Sequence, residues 1–191
     1  MIDPSTLLSD PPTITTARLT LRVVRVNDAE QLFETFRDAE AMRYWSSPPH
    51  ESPAVTAEML ERARASFLAG EGIEFAMMPR GEERVIGKVG HWRWQKAHSR
   101  SEIGFILRRD LWRQGLATEA LRAAVEWGFA KLELHSVEAQ LDAGNLGSAR
   151  TLERAGFVRE GVLRQSYWDG KEFRDTAMYG LLRSEYLPDR R

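Results

Sequence analysis

The sequence predicts one α/β domain: a mixed sheet flanked by helices. Three observations carry this. Segments of period two and period 3.6 interleave in the order strand, two helices, three strands, helix, strand, helix, strands. The 191 residues suit one domain with a full core better than two very small ones. The composition, 42% hydrophobic and 29% charged, is that of a globular chain, and such elements pack most simply as helices laid on a sheet.

Residues 1–14 hold Pro4, Pro11, Pro12 and several Ser and Thr, and read as a loosely held lead-in to a domain spanning 15–187. Leu19 to Val24 alternates and then turns apolar, a first strand. Asn27-Asp28-Ala29-Glu30 offers caps for a helix with Leu32, Phe33 and Phe36 on one face. The run Ser46 to Pro53 is a loop, and a second helix over roughly 54–69 buries Val55, Met59, Leu60, Ala63 and Phe67. Glu74 to Met78, a turn at Pro79-Arg80-Gly81 and the strand Val85 to Trp94 make a hairpin, and Glu102 to Leu107 is the next strand. Apolar or small residues at 117, 120, 121, 124, 125, 128 and 129 mark a helix. His135 to Leu141 is a strand with Val137, Ala139 and Leu141 on one side. Asn145 to Ala155 is a short helix stopped by Gly156. Phe157 to Tyr186 reads as strands around Asp169-Gly170.

Several function classes fall away. A net charge of −1 argues against a nucleic-acid-binding face. The absence of cysteine removes disulfides, thiolate metal sites and a thiol nucleophile. No apolar run approaches the ~18 residues that span a bilayer, and Met1-Ile2-Asp3-Pro4 lacks the start of a signal peptide; a cytoplasmic chain away from the membrane is expected. His50, His91, His98 and His135 are scattered without metal-ligand spacing, so no metal is expected. Neither a G-x-x-x-x-G-K-[ST] loop nor a G-x-S-x-G elbow is present.

Two segments carry chemistry. Trp112-Arg113-Gln114-Gly115-Leu116-Ala117-Thr118-Glu119-Ala120 is a small-residue loop running into a helix, with no carboxylate until Glu119. Such a loop leaves backbone N–H groups aimed outward at the positive end of a helix dipole, a place for a phosphate or pyrophosphate. Gly115 and Ala117 leave room for an anion to reach the backbone. The same residues also suit an ordinary loop before a helix. The second segment is Asn145-Leu146-Gly147-Ser148-Ala149-Arg150-Thr151-Leu152-Glu153-Arg154-Ala155-Gly156-Phe157, in which Asn145 reads as a helix N-cap and Ser148 as a first-turn residue.

Taken together, in this order and spacing, the chain resembles the GNAT (Gcn5-related N-acetyltransferase) superfamily, and most of all its ribosomal-protein N-terminal acetyltransferase branch. The residues that carry the resemblance are Thr16 to Arg22, Glu102-Ile103-Gly104, Trp112 to Ala120, and Asn145-x-x-Ser148 with Glu153 and Gly156-Phe157. Glu160-Gly161, Tyr167-x-Asp169-Gly170 and Asp175 to Tyr179 complete it, over roughly residues 15–186. The resemblance implies a mixed, mostly antiparallel sheet of six to seven strands with about four helices, splayed at an acetyl-CoA cleft. It implies acetyl-CoA as donor and a primary amine as acceptor. It places the CoA pyrophosphate on the backbone of Arg113, Gln114, Gly115, Leu116, Ala117 and Thr118, and the pantetheine arm along Phe105, Ile106 and Leu107 as an added strand. Asn145, Ser148 and Arg150 complete the CoA site. Arg108, Arg109 and Arg113 are further candidates for its 3′-phosphate.

Acetyl transfer to an amine needs a base, an oxyanion donor and a proton for the departing thiolate. By resemblance Glu102 is the candidate base, through a water, and Ser148 the candidate acid; each also has a plain structural reading, strand edge for Glu102 and helix start for Ser148. A tyrosine acid found in other branches falls here on Leu152, and a glutamate base found in some falls on Gln140. Tyr167 is an alternative donor. Tyr44, Trp45, His91 and Tyr167 are candidates to line the acceptor pocket, alongside Trp92 and Trp94. The acceptor is expected to be a protein or peptide N-terminus; a small amine (amino acid, polyamine, aminoglycoside) is the alternative, and a non-catalytic acyl-CoA-binding module a second one. A homodimer is the default oligomer.

Overall fold

The computed structural model describes residues 10–45 and 47–186. In chain order these form β1 (Thr13–Thr15), β2 (Leu19–Val23), α1 (Ala29–Phe36), α2 (Pro53–Leu68), β3 (Ile73–Pro79), β4 (Gly87–Gln95), β5 (Arg100–Leu107), α3 (Leu116–Lys131), β6 (Ser136–Asp142), α4 (Leu146–Arg154), β7 (Val158–Trp168) and β8 (Phe173–Leu182). The strands make one sheet in the order β1-β2-β3-β4-β5-β6-β8-β7, antiparallel at every step except between β5 and β6.

Eight strands stand where six to seven were expected. The additional one is β1, inside the stretch read as a lead-in; Ile14 pairs with Leu21 and packs against the core. Three residues are too few to show a period. Residues 1–9 of that lead-in and the expected domain end at 187 lie outside the described residues.

Strand alternation divides the sheet into two faces. Val89, Ile103, Val137, Ala139 and Leu181 point to one face, where α3 and α4 cover them with Leu121, Ala124, Val125 and Leu152. Ala76, Met78 and Ile106 point to the other, under Leu32 and Phe36 of α1 and Leu60 of α2. In α2 the stripe is Thr56, Leu60, Phe67 with Met59 and Ala63 half-buried; Val55, expected inside, is 37% exposed because it lies one residue out of phase. Thr56 can be buried there because its hydroxyl bonds His50 Nδ1 at 2.8 Å. Gly156 closes α4 with φ 101°, as its position predicts. No helix among the described residues is long and apolar enough to cross a membrane.

β7 is unlike the rest. It is the sheet's edge, exposed along almost its whole length, with Val158 and Leu163 open to solvent. Its register with β8 slips between Arg159 and Gly161 and again between Leu163 and Tyr167, and Gln165 adopts φ 47°.

His91, expected at the acceptor pocket, is instead fully buried on the α3/α4 face. Its position in β4 pairs with Ile103, so the pleat sends it to the core. The ring bonds Ser101 Oγ at 2.8 Å and Ala124 O at 2.9 Å, tying β4, β5 and α3 together, and a Cβ on Gly128 would meet it at 2.8 Å. The carbonyl accepts from Nε2–H, which leaves Nδ1 to accept the serine proton. Burial pushes the imidazole down from 6.5 to about 4, against the Ala124 hydrogen bond. The folded chain therefore binds fewer protons than the unfolded chain between those values. Stability is complete above pH 6.5 and is lost as pH falls toward about 4, by up to about 3 kcal/mol. Urea melts across pH 4–8 are expected to show this loss, and His91→Gln to flatten its share of the slope while costing about 1–3 kcal/mol at pH 8.

Candidate active site

The site begins where a ladder ends. β5 and β6 pair in parallel only over Arg100–Glu102 with Ser136–Glu138. Beyond that, β5 runs on to Leu107 bonded to β4, and β6 runs on to Asp142 bonded to β8. Arg108 N donates to Ile86 O on the β4 side, and the Leu107 carbonyl, turned the other way, accepts the Trp112 indole N–H at 2.8 Å. Alternation then turns the carbonyl of Ile103 and the peptide group of Phe105 into the gap, the Ile103 N–H closing the last rung of the ladder on Glu138. Gln140 of β6 faces them, because Ala143 N bonds Asp175 O on the β8 side. Of the three residues expected to meet a pantetheine arm, Phe105 presents its whole peptide group and Leu107 its N–H. Ile106 does not, since its peptide is spent on β4. Ile103 was missed; one-residue steps of strand phase are not visible without a register.

Both helices of the α3/α4 face start at the wide end of this gap. The loop from β5 to α3 carries Arg113 at φ 62° and Gly115 at φ 77°. Among the described residues no acceptor meets the backbone N–H groups from Arg113 to Thr118; the first bond of the helix is Glu119 N to Gly115 O. This is a row of unpaired donors at the positive end of a sixteen-residue helix. It fits a diphosphate. The loop is braced from behind. Glu119 accepts from Thr16 Oγ1 at 2.7 Å, from Arg18 N at 2.8 Å and from Arg18 Nε at 2.6 Å, while Arg18 Nη1 bonds Gln114 O at 2.8 Å. Burial pushes the Glu119 carboxyl up, but the bonds from Thr16 and Arg18 outweigh it and hold it below its ordinary value. The loop borders a groove of about 710 Å3 lined in part by Arg18, Thr118, Arg122 and Arg154. Arg113 and Arg150 make no ion pair among the described residues, whereas Arg108 is engaged by Asp110 and Arg109 by Asp38.

At the start of α4, Asn145 Oδ1 accepts from Ser148 N at 3.0 Å, so Asn145 is an N-cap. The Ser148 hydroxyl is half-buried and has no partner among the described residues.

The α1/α2 face of the same gap carries three carboxylates, two of them paired with arginines. Glu102 and Glu138 sit opposite each other at its closed end, both buried. Arg93 Nη1 meets Glu102 at 2.8 Å, and Arg100 Nη2 engages Glu138. Asp142 lies on the same face at the open end, where Tyr167 Oη donates to it at 2.7 Å. Tyr44 lies beside Gly144, and the Trp92 indole covers Gly104. Trp45, expected in the pocket, packs edge-on against Phe36 at 5.7 Å with Lys88 beneath it, and belongs to the α1/α2 core. Glu138 and Asp142 were missed. The signal was present: with Val137, Ala139 and Leu141 assigned inward, alternation puts them on the other face with Gln140.

A cleft through the sheet, an anion cradle on one face and carboxylates on the other suit transfer between a phosphate-bearing donor and an amine. Comparison with known proteins agrees. Residues 18–158 match the acetyltransferase (GNAT) domain. The N-acetyltransferase YoaA of Bacillus subtilis, itself uncharacterized, is 32% identical over 172 residues, covering 90% of this chain and 97% of the relative. A GNAT acetyltransferase structure from Bacillus anthracis superposes with TM-score 0.81 at 25% identity, over 91% of this chain and all of that one. More distant relatives are YdaF of Bacillus subtilis, named for ribosomal N-acetylation, at 24% identity over 88% of this chain and 93% of its own, and a spermidine N(1)-acetyltransferase of Vibrio cholerae at 23% over 90% and 96%. The chain belongs to the GNAT family and is an acetyl-CoA-dependent N-acetyltransferase.

Proposed function

We propose that the acetyl acceptor reaches the gap from the α1/α2 face, that acetyl-CoA binds from the α3/α4 face, and that the acceptor is a polypeptide N-terminus. The observation that carries this is the two-sided gap: unpaired backbone between β5 and β6, donors on one face and carboxylates on the other. A free N-terminus, with pKa near ~8, is easier to deprotonate than a lysine near ~10.4.

Acetyl-CoA supplies the acetyl group as a thioester. The backbone N–H groups of residues 113–118 hold its pyrophosphate, with Arg113 and Arg150 free to add charge. The carbonyls of Ile103 and Phe105 extend β5 by accepting from the pantetheine amides. Glu102, held by Arg93, takes the amine proton through a water; Ser148, with its hydroxyl uncommitted, gives one to the departing thiolate. The N–H of Phe105 faces the gap and is placed to stabilise the developing oxyanion. Direct attack of the amine on the thioester is the proposed route, and the chain has no cysteine to form a thiol-based relay. A polyamine is the second reading, favoured by the carboxylate of Asp142 at the open end of the gap and by the spermidine-acetylating relative.

Thiol release from acetyl-CoA with N-terminal peptides and with spermidine tests this. Turnover is expected with a peptide; turnover with spermidine alone moves the assignment to polyamines, and CoA binding without thiol release from any amine overturns it. Glu102→Gln is expected to lower kcat by about 10²-fold or more, and Ser148→Ala by roughly 10- to 100-fold, with CoA affinity kept. Gly115→Val, which strains a φ of 77°, is expected to raise the CoA Kd by about tenfold or more, measured by calorimetry.

A further inference from the structure

Asp142 and Tyr167 are joined across the sheet. Asp142 ends β6, the strand that lines the gap; Tyr167 stands on β7, with β8 between them, so the phenol lies across β8 to reach the gap's edge. The Tyr167 hydroxyl donates to Asp142 Oδ2 at 2.7 Å, and Asp142 Oδ1 accepts from Gly144 N, also at 2.7 Å. The phenol proton is thus committed, and the lone pairs of Oη are what a ligand meets. Burial first, and the Asp142 bond next, push the Tyr167 hydroxyl well above the usual tyrosine value, so it stays protonated at working pH. Giving that proton to a thiolate would leave a phenolate beside a carboxylate, two like charges at hydrogen-bond distance. Arg174, paired with Tyr167 across the hairpin, is engaged by Asp169 at 2.7 Å and Glu172 at 3.0 Å. Arg174 is thus hydrogen-bonded elsewhere, although its charge is still felt by Asp142 and Tyr167.

Position decides what it binds. Asp142 is four residues along β6 from Glu138, roughly 13 Å of extended chain. A carboxylate anchor on the reacting amine would hold it as ammonium and oppose attack. We infer that Tyr167 Oη and Asp142 bind a second, non-reacting cationic group of the acceptor, roughly 10–13 Å from the amine that is acetylated at the Glu102 end, with Asp142 as the positioning residue that orients Tyr167 and supplies the counter-charge. This rests on the reading of the α1/α2 face as the acceptor entrance. The second cation comes from a diamine or from a lysine near a peptide N-terminus.

Steady-state kinetics with α,ω-diamines of four to ten carbons, the matching monoamines, and N-terminal peptides carrying lysine or alanine at positions two to four test the inference. In the wild type, the diamine or lysine peptide of matching span is expected to have an acceptor KM about tenfold or more below its singly charged counterpart. Asp142→Asn and Tyr167→Phe are each expected to erase that advantage, with kcat within about threefold, CoA Kd unchanged and Tm near that of the wild type. Should Asp142→Asn fail to fold, Tyr167→Phe alone decides. Equal KM for singly and doubly charged acceptors, or a Tyr167→Phe loss in kcat with KM unchanged, overturns the anchor and leaves the acetyltransferase reading intact. If no amine releases thiol, binding of the same diamines to the CoA-loaded protein decides. Binding weakened by Asp142→Asn keeps the anchor while the transfer reading fails; no binding overturns both.

Discussion

The loss of pairing between β5 and β6 is the constraint on which the rest of the molecule depends. A parallel pair is held by slanted bonds and a helical crossover, here α3, and nothing obliges the two strands to stay together along their full length. Once they part after Glu102 and Glu138, each is kept straight by its other neighbour, β4 or β8. The opening is therefore rigid on both sides. It also leaves the carbonyl of Ile103 and the peptide groups of Phe105 and Gln140 without partners among the described residues, a cost that a ligand or water can relieve. The chemistry is built around that unmet demand.

The anion cradle shows how such demand is kept available. Six consecutive peptides without acceptors tend to collapse onto nearby carbonyls or side chains. Here the left-handed turns at Arg113 and Gly115 aim them outward, and the nearest carboxylate, Glu119, is turned away by three hydrogen bonds from Thr16 and Arg18. Without that brace, Glu119 in the first turn of α3 could fold over the donors and compete with a phosphate. The β1–β2 turn, far away in sequence, thus supports the proposed donor site.

Much of this was legible beforehand and some was not, for physical reasons. The row of unpaired donors at the start of α3 could be read because its determinants are local: small residues, no early carboxylate and a helix of clear period. Helix existence and the Gly156 stop were legible on the same grounds. The acceptor side depends on which face each strand residue takes and on which strands are neighbours. His91 and Trp92 are adjacent in sequence and end on opposite faces, so a cluster of aromatic residues around them said nothing about a shared pocket. Tyr167 meets Asp142 across two strand steps, a contact no local pattern encodes. β1 escaped because three residues carry no period.

The unpaired margin formed by β7 has a further consequence. A straight, eleven-residue border with Val158 and Leu163 in the open would be a template onto which other chains could add. Two slips of register and the left-handed Gln165 break the spacing of its free amides and carbonyls, so a regular incoming strand can match only a few of them at a time. Straightening that border by changing Gln165 or deleting a bulged residue would trade a local irregularity for a colloidal liability.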